Sequence, residues 1–146
     1  MVLNTDLDLT DADIKAMLEK YGVTHLTVGT KDRPFKGTFD GQNHRIKGLV
    51  YEPNIIKDPN SGLFSFTDGA TIQNLTLENA DIEAIYQGGI VVGHAKNTHL
   101  ENLTVLNSKI KLSPANNVIS LITNLGFCGG GIAGIMEDSV MYNCEI

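Results

Sequence analysis

Apolar and polar positions along this chain recur in blocks. In one block the apolar residues are Ile72, Leu75, Leu77 and Ile82; in the next they are Leu100, Leu103, Val105 and Ile110. Leu75 and Leu77, like Leu103 and Val105, keep the alternate spacing of a strand with one buried face. The steps from 72 to 75 and from 77 to 82 are odd, so the same face stays inward only if the backbone turns a corner at each. Asn74 and Asn79 stand at those breaks in the first block, Asn102 and Asn107 in the second. Asn tolerates left-handed backbone and bonds nearby peptide groups, which suits a tight corner. The pattern predicts an all-β chain of short strands, stacked at about 4.8 Å per layer. That architecture is a parallel β-helix.

The blocks belong to a longer repeat. Ser65 to Asn74, Gly93 to Asn102 and Gly134 to Asn143 each place a small residue nine positions before an Asn. The first interval (93−65) is 28 and the second (134−93) is 41, an excess of 13. A period of this size marks a solenoid, in which no single unit can bury its apolar face alone. A weaker copy is read upstream, with Ile46, Leu49, Tyr51 and Ile56 at a constant offset of 26 from Ile72, Leu75, Leu77 and Ile82 (72−46, 75−49, 77−51, 82−56). A helical repeat does not fit, because the units carry Gly, Asn and Thr and lack apolar positions at i, i+3, i+4 and i+7. A Greek-key sandwich would not demand near-identical layers.

The repeat nominates structural residues. Asn74, Asn102 and Asn143 fall in one register and Asn79 and Asn107 in another, so their amides are expected to hydrogen-bond along the stack as a ladder. Asn74-Leu75-Thr76 and Asn102-Leu103-Thr104 also fit the glycosylation pattern, but the repeat itself accounts for both. Gly62, Gly88-Gly89 and Gly129-Gly130-Gly131 precede the apolar pairs Leu63-Phe64, Val91-Val92 and Ile132-Ala133. They are read as close-packed corners. A phosphate loop would need a Lys and a following helix, and neither is found after Gly134.

The ends differ from the middle. Residues 1–23 are expected to form an N-terminal strand and a capping helix over 11–21. Thr10 is read as the N-cap, Gly22 as the stop, and Ile14, Met17, Leu18 and Tyr21 as one face. Residues 24–146 are read as the repeats of a single domain, with an insertion at about 111–128. The insertion is rich in apolar residues (Val118, Ile119, Leu121, Ile122 and Leu125) and is the expected place for a partner surface. The last copy reaches Ile146 with no cap after it, which implies a longer repeat protein or self-association through that end.

Composition narrows the function. The 146 residues carry a net charge of −6 and 42% hydrophobic residues without Trp. A globular chain of this charge is not expected to bind nucleic acid. No apolar run is long enough to span a membrane, and no signal peptide opens the chain. Two cysteines, Cys128 and Cys144, leave pairing open; Cys144 matches the inward Leu75 and Leu103. His25, His44, His94 and His99 show no zinc spacing, and His94 and His99 are read as surface residues. Asp40, His44 and Arg45 are the most polar cluster, yet Asp40 has no acidic partner in the next copies, so Asp40-Gly41 is read as a turn. No catalytic residue, cofactor or metal is therefore expected. A carbohydrate-active β-helix, a polysaccharide lyase or hydrolase, is the alternative. An ice-binding array fails because Glu145 interrupts the column of Thr76 and Thr104.

Pro34-Phe35-Lys36-Gly37-Thr38-Phe39-Asp40-Gly41-Gln42-Asn43-His44-Arg45-Ile46-Lys47-Gly48-Leu49 resembles the opening of bacterial repeat regions built from the GLUG motif. Gly62-Leu63-Phe64, Gly88-Gly89-Ile90-Val91-Val92-Gly93 and Gly130-Gly131-Ile132-Ala133-Gly134 look like its successive units. The extra Val and the insertion depart from the usual pattern. Such repeats occur in adhesin-like surface proteins and in the non-catalytic part of IgA-specific metallo-endopeptidases, whose zinc motif is absent here. The resemblance implies a right-handed β-helix, an extracellular or cell-surface location, and a spacer or adhesion role toward a protein or glycan ligand.

Overall fold

The computed structural model describes residues 1–23, 26–52, 60–84, 87–112 and 131–146. They form one helix, α1 (Ala12–Lys20), and short strands that all pair in parallel. A five-stranded sheet runs in the order β1 (Leu7–Asp8), β2 (Thr38–Lys47), β6 (Thr71–Glu78), β10 (His99–Leu106), β13 (Val140–Tyr142). A second sheet joins β3 (Val50–Tyr51), β7 (Asp81–Ala84) and β11 (Lys109–Leu112). A third joins β5 (Phe64–Asp68), β9 (Val92–Lys96) and β12 (Ala133–Glu137). A short pair is made by β4 (Asn60–Ser61) and β8 (Gln87–Gly88).

Register follows the repeat. Ile72 pairs with Leu100, Leu75 with Leu103 and Leu77 with Val105 in the large sheet, and Ile82 pairs with Ile110 in the second. In the third sheet Phe64 pairs with Val92, and Val92 with Ala133. Apolar side chains of each strand therefore bury against their equivalents one layer on. Ile72, Leu77, Leu100 and Leu103 lose all their exposure, and with Phe64, Leu49, Ile82 and Ile132 they make one continuous core. Each fully buried Leu or Ile contributes about 1.5–3 kcal/mol relative to exposure.

The upstream copy needs a correction. Ile46 pairs with Leu77 and Tyr51 with Ile82, an offset of 31 (77−46, 82−51), whereas the apolar spacing of the sequence places it at 26. Before the break the offset is 33, since Phe39 pairs with Ile72. The change comes from an irregularity between Asp40 and His44, where Gly41, Gln42 and Asn43 stand opposite the single residue Asn74. Two extra residues shift the frame, and Gln42 and Asn43 absorb them at φ 51° and 60°. Ile56 lies outside the described residues.

A smaller bulge accounts for the extra Val of the 89–93 unit. The backbone N–H groups of Val91 and Val92 both donate to Ile132 O, at 3.1 and 2.9 Å. One carbonyl thus serves two successive amides, and the surplus residue is absorbed without breaking the layer.

The N-terminal residues lie against the edges of these sheets. β1 pairs with β2, and Val2 bridges Asp40, so residues 2–8 add a last strand to the large sheet. Val28 bridges Phe64 and Phe35 bridges Thr67, which covers the edge of β5. Helix α1 begins one residue later than expected from a Thr10 cap. Asp11 is the N-cap, and its carboxylate accepts from Asp13 N at 2.9 Å and Ile14 N at 3.3 Å. Thr10 is held instead by Asp8 Oδ1, to which its N–H and hydroxyl donate at 2.9 and 2.6 Å. Gly22 follows the helix at φ 70°. Ile14 and Leu18 pack on the core, while Met17 and Tyr21 stay exposed. Only half of the anticipated apolar stripe is used. No helix among the described residues is long and apolar enough to cross a membrane.

Candidate functional site: a side-chain ladder along the corners

The corners carry the most regular polar chemistry in the chain. Asn74, Asn102 and Asn143 adopt φ 55°, 51° and 50°, and Asn79 and Asn107 adopt 54° and 46°. In these left-handed positions a β-carbon costs about 1–2 kcal/mol, which Asn offsets by local hydrogen bonding. The side chains of the first register are linked. Asn102 Nδ2 donates to Asn74 Oδ1 at 3.0 Å, and Asn143 Nδ2 donates to Asn102 Oδ1 at 2.6 Å. The second register does not form the expected side-chain ladder: among the described residues no bond joins the Asn79 and Asn107 amides, and the layers are linked there by the backbone, Asn79 N donating to Leu106 O at 3.0 Å, with Gly48 at the equivalent position one layer earlier at φ 77°.

Asp40 is the residue that sequence reasoning missed as part of this ladder. Asn74 Nδ2 donates to Asp40 Oδ1 at 3.1 Å, so the carboxylate is the rung before Asn74. Gln42 N donates to the same oxygen at 2.8 Å, and Gln73 Nε2 donates to Oδ2 at 3.0 Å. The Gln42 amide, then the Asn74 and Gln73 side chains, hold the Asp40 carboxyl below its ordinary pKa. The bond from Gln42 N is the turn chemistry expected of Asp40-Gly41. The misplaced upstream register hid the rest, because only an offset of 33 sets Asp40 opposite Gln73.

A third set of corners includes the one expected between His94 and His99. Gly69, Asn97 and Asp138 take φ 73°, 46° and 47°, and Asn97 Nδ2 donates to Asp68 Oδ1 at 3.0 Å. Beside it runs a column of hydroxyls. Thr67 and Thr98 share a buried hydrogen bond of 2.8 Å, and Ser139 Oγ accepts from Thr98 N at 2.9 Å. Ser108 Oγ likewise accepts from Ala80 N at 2.9 Å. Ser108 and Ser139 each satisfy a peptide N–H at the turn, and the Thr98 hydroxyl donates to Lys96 O at 2.7 Å. The signal for these positions was the small polar residue after each strand pair, which varies too much in type to be read from three copies.

The ladder makes its own expectations. Asn102→Ala is expected to cost about 1–3 kcal/mol, since it strands two amide partners and puts a β-carbon at positive φ without compensation. Asn102→Gly keeps the backbone free and should cost about 1 kcal/mol less in urea unfolding. Asp40 sets a pH dependence. Its folded pKa is depressed, so the stability it contributes is present above the unfolded value of about 3.9 and is lost as pH falls through the folded value. The gap in urea midpoint between the native chain and Asp40→Asn should therefore be open at neutral pH and narrow steadily on acidification below about 4.

The other candidate groups do not converge. His44 Nδ1 lies 3.2 Å from Asp6 Oδ1, and His99 Nε2 lies 3.0 Å from Glu101 Oε2, on separate elements. Arg45 pairs with Glu78 at 2.7 Å, away from Asp40. His94 was expected at the surface, but its side chain is only 15% exposed. It stands in register with Phe66 and stacks on that ring at 4.5 Å, with Nε2 3.3 Å from Glu137 Oε2 and not aligned for a hydrogen bond. Among the described residues no three His, Cys, Asp or Glu side chains are grouped to hold a metal ion. Cys144 packs against the core, and its thiol donates to Tyr142 O at 3.4 Å. Cys128, His25 and the apolar insertion lie outside the described residues. A cleft of about 560 Å³ separates α1 from residues 48–50; it is lined mainly by Leu9, Leu18, Val23, Leu26 and Leu49, with Lys15 and Glu19 at its side.

No family model, curated protein or solved structure matches the chain.

Proposed function

We propose that this chain is a repeat module of a right-handed parallel β-helix and works without catalysis, as a rigid spacer or adhesion scaffold in a bacterial surface or secreted protein. One observation carries the reading: copies at offsets of 28 (103−75) and 41 (141−100) pair in register, rung on rung, as Leu75 does with Leu103 and Leu100 with Met141. A stack of this kind is stiff because every layer shares strand hydrogen bonds and a dry core with its neighbours. Its polar corners use their hydrogen-bonding capacity on one another, which suits a scaffold. The Asp40 carboxylate is committed to three donors in the same way. A polysaccharide-cleaving β-helix would instead bring two acidic groups together on one face. The GLUG resemblance of residues 34–49 points in the same direction as the stacking.

The test is incubation of the purified chain with pectins, alginates and glycosaminoglycans. The scaffold reading expects no depolymerisation. Cleavage that disappears in an Asp40→Ala protein whose circular dichroism is unchanged would overturn it in favour of the enzyme.

A further inference from the structure

We propose that β13 is a self-complementary edge through which two copies of this chain pair tail to tail about a two-fold axis. The backbone direction of each β13 residue decides which edge is free. Val140 N donates to Thr98 O at 3.0 Å, so Val140 is turned toward β10. In a parallel ladder alternate residues address alternate neighbours. Tyr142 is therefore turned toward β10 as well, and Met141 directs its N–H and C=O to the other side. No strand pairs with that side of β13 among the described residues.

An unpaired edge accepts a strand, and the side chains say which strand. Val140 and Tyr142 are 58% and 64% exposed and flank Met141 on the outer face of the sheet. An antiparallel copy of β13 centred on Met141 places Met141 opposite itself. Residues with both groups turned outward exchange two N–H···O bonds in such a pair. The same register sets Val140 opposite Tyr142 of the second copy, twice. An aromatic residue facing a β-branched one is a favourable cross-strand pair. Further out, Ser139 comes opposite Asn143, and both are uncharged. The edge thus matches a reversed copy of itself in backbone, apolar and polar terms.

The opposite end of the stack does not offer the same surface. Residues 2–8 already pair with β2, and Val28 and Phe35 already bridge β5. Head-to-tail growth would have to pair β13 with β1, an edge strand of two residues that carries Asp8. A closed, isologous dimer uses the longer, uncharged edge twice and has the commonest oligomeric symmetry. One short strand buries little area, so the association is expected to be weak and concentration-dependent.

Sedimentation velocity on the full chain, from low-micromolar to several hundred micromolar, tests this. A monomer–dimer equilibrium is expected, with no larger species. Tyr142→Asp alters an exposed side chain and should leave the fold intact while weakening the dimer at least about tenfold. Amide hydrogen exchange gives a second readout. The Met141 amide should become protected as concentration rises, whereas those of Val140 and Tyr142 should be protected throughout. A chain that stays monomeric at every concentration, an open series of oligomers, or a dimer that Tyr142→Asp leaves unchanged would each overturn the proposal. None of these outcomes bears on whether the chain cleaves polysaccharide.

Discussion

Gly89→Ala is expected to lower stability by about 3 kcal/mol or more, at or above the upper end of overpacking costs. A β-carbon on Gly89 would come within 2.3 Å of Val92 O, 2.6 Å of Ile132 O and 2.7 Å of Ala133 Cα. All three are backbone atoms, and two belong to the next layer, so no side chain can swing aside. The layers would have to separate, and separation breaks strand hydrogen bonds on either side. Gly37→Ala is the control. There the added carbon meets only the Phe35 ring at 3.4 Å, an ordinary contact, so the change should be close to neutral. Urea unfolding of the two variants checks the contrast. Equal midpoints would mean that the close approach at Gly89 does not exist.

Leu103→Ala carries the second large effect. Leu103 is fully buried and lies in register with Leu75 in the preceding layer. Truncation leaves a cavity in a column whose backbone is fixed by strand pairing on both sides, so collapse is limited. The expected loss is about 2–5 kcal/mol. Leu106→Ala, on the same strand but pointing outward opposite Glu78, should cost less than about 1 kcal/mol. Similar losses at both positions would contradict the inward–outward alternation of β10.

Much of the strand pairing was legible in the sequence because parallel strands paired in register repeat their constraints. Leu75 and Leu103 read as equivalents for the reason that they pair: the same inward position recurs in each layer. The corner Asn residues were legible because positive φ restricts the choice of residue. The upstream copy was not. Two additional residues within 41–43 broke the spacing, and similarity in apolar type then favoured an offset of 26 over the observed 33 and 31. That error concealed Asp40 as a rung. His94 was misjudged because a polar type suggests solvent, whereas its register with Phe66 puts it under a ring. The Thr10 cap failed for a local reason, since Asp8 claims the Thr10 hydroxyl first. Periodicity locates equivalent residues; it does not show which partner a polar side chain will choose.

The alignment of equivalent residues in successive layers is tested most directly by methyl–methyl nuclear Overhauser effects. Cross-peaks are predicted between Ile72 and Leu100, Leu75 and Leu103, Leu77 and Val105, and Ile82 and Ile110, all at the single offset of 28 (100−72, 103−75, 105−77, 110−82). Absence of all four, with the same methyls instead contacting residues at other offsets, would contradict the stacked architecture and the scaffold role built on it.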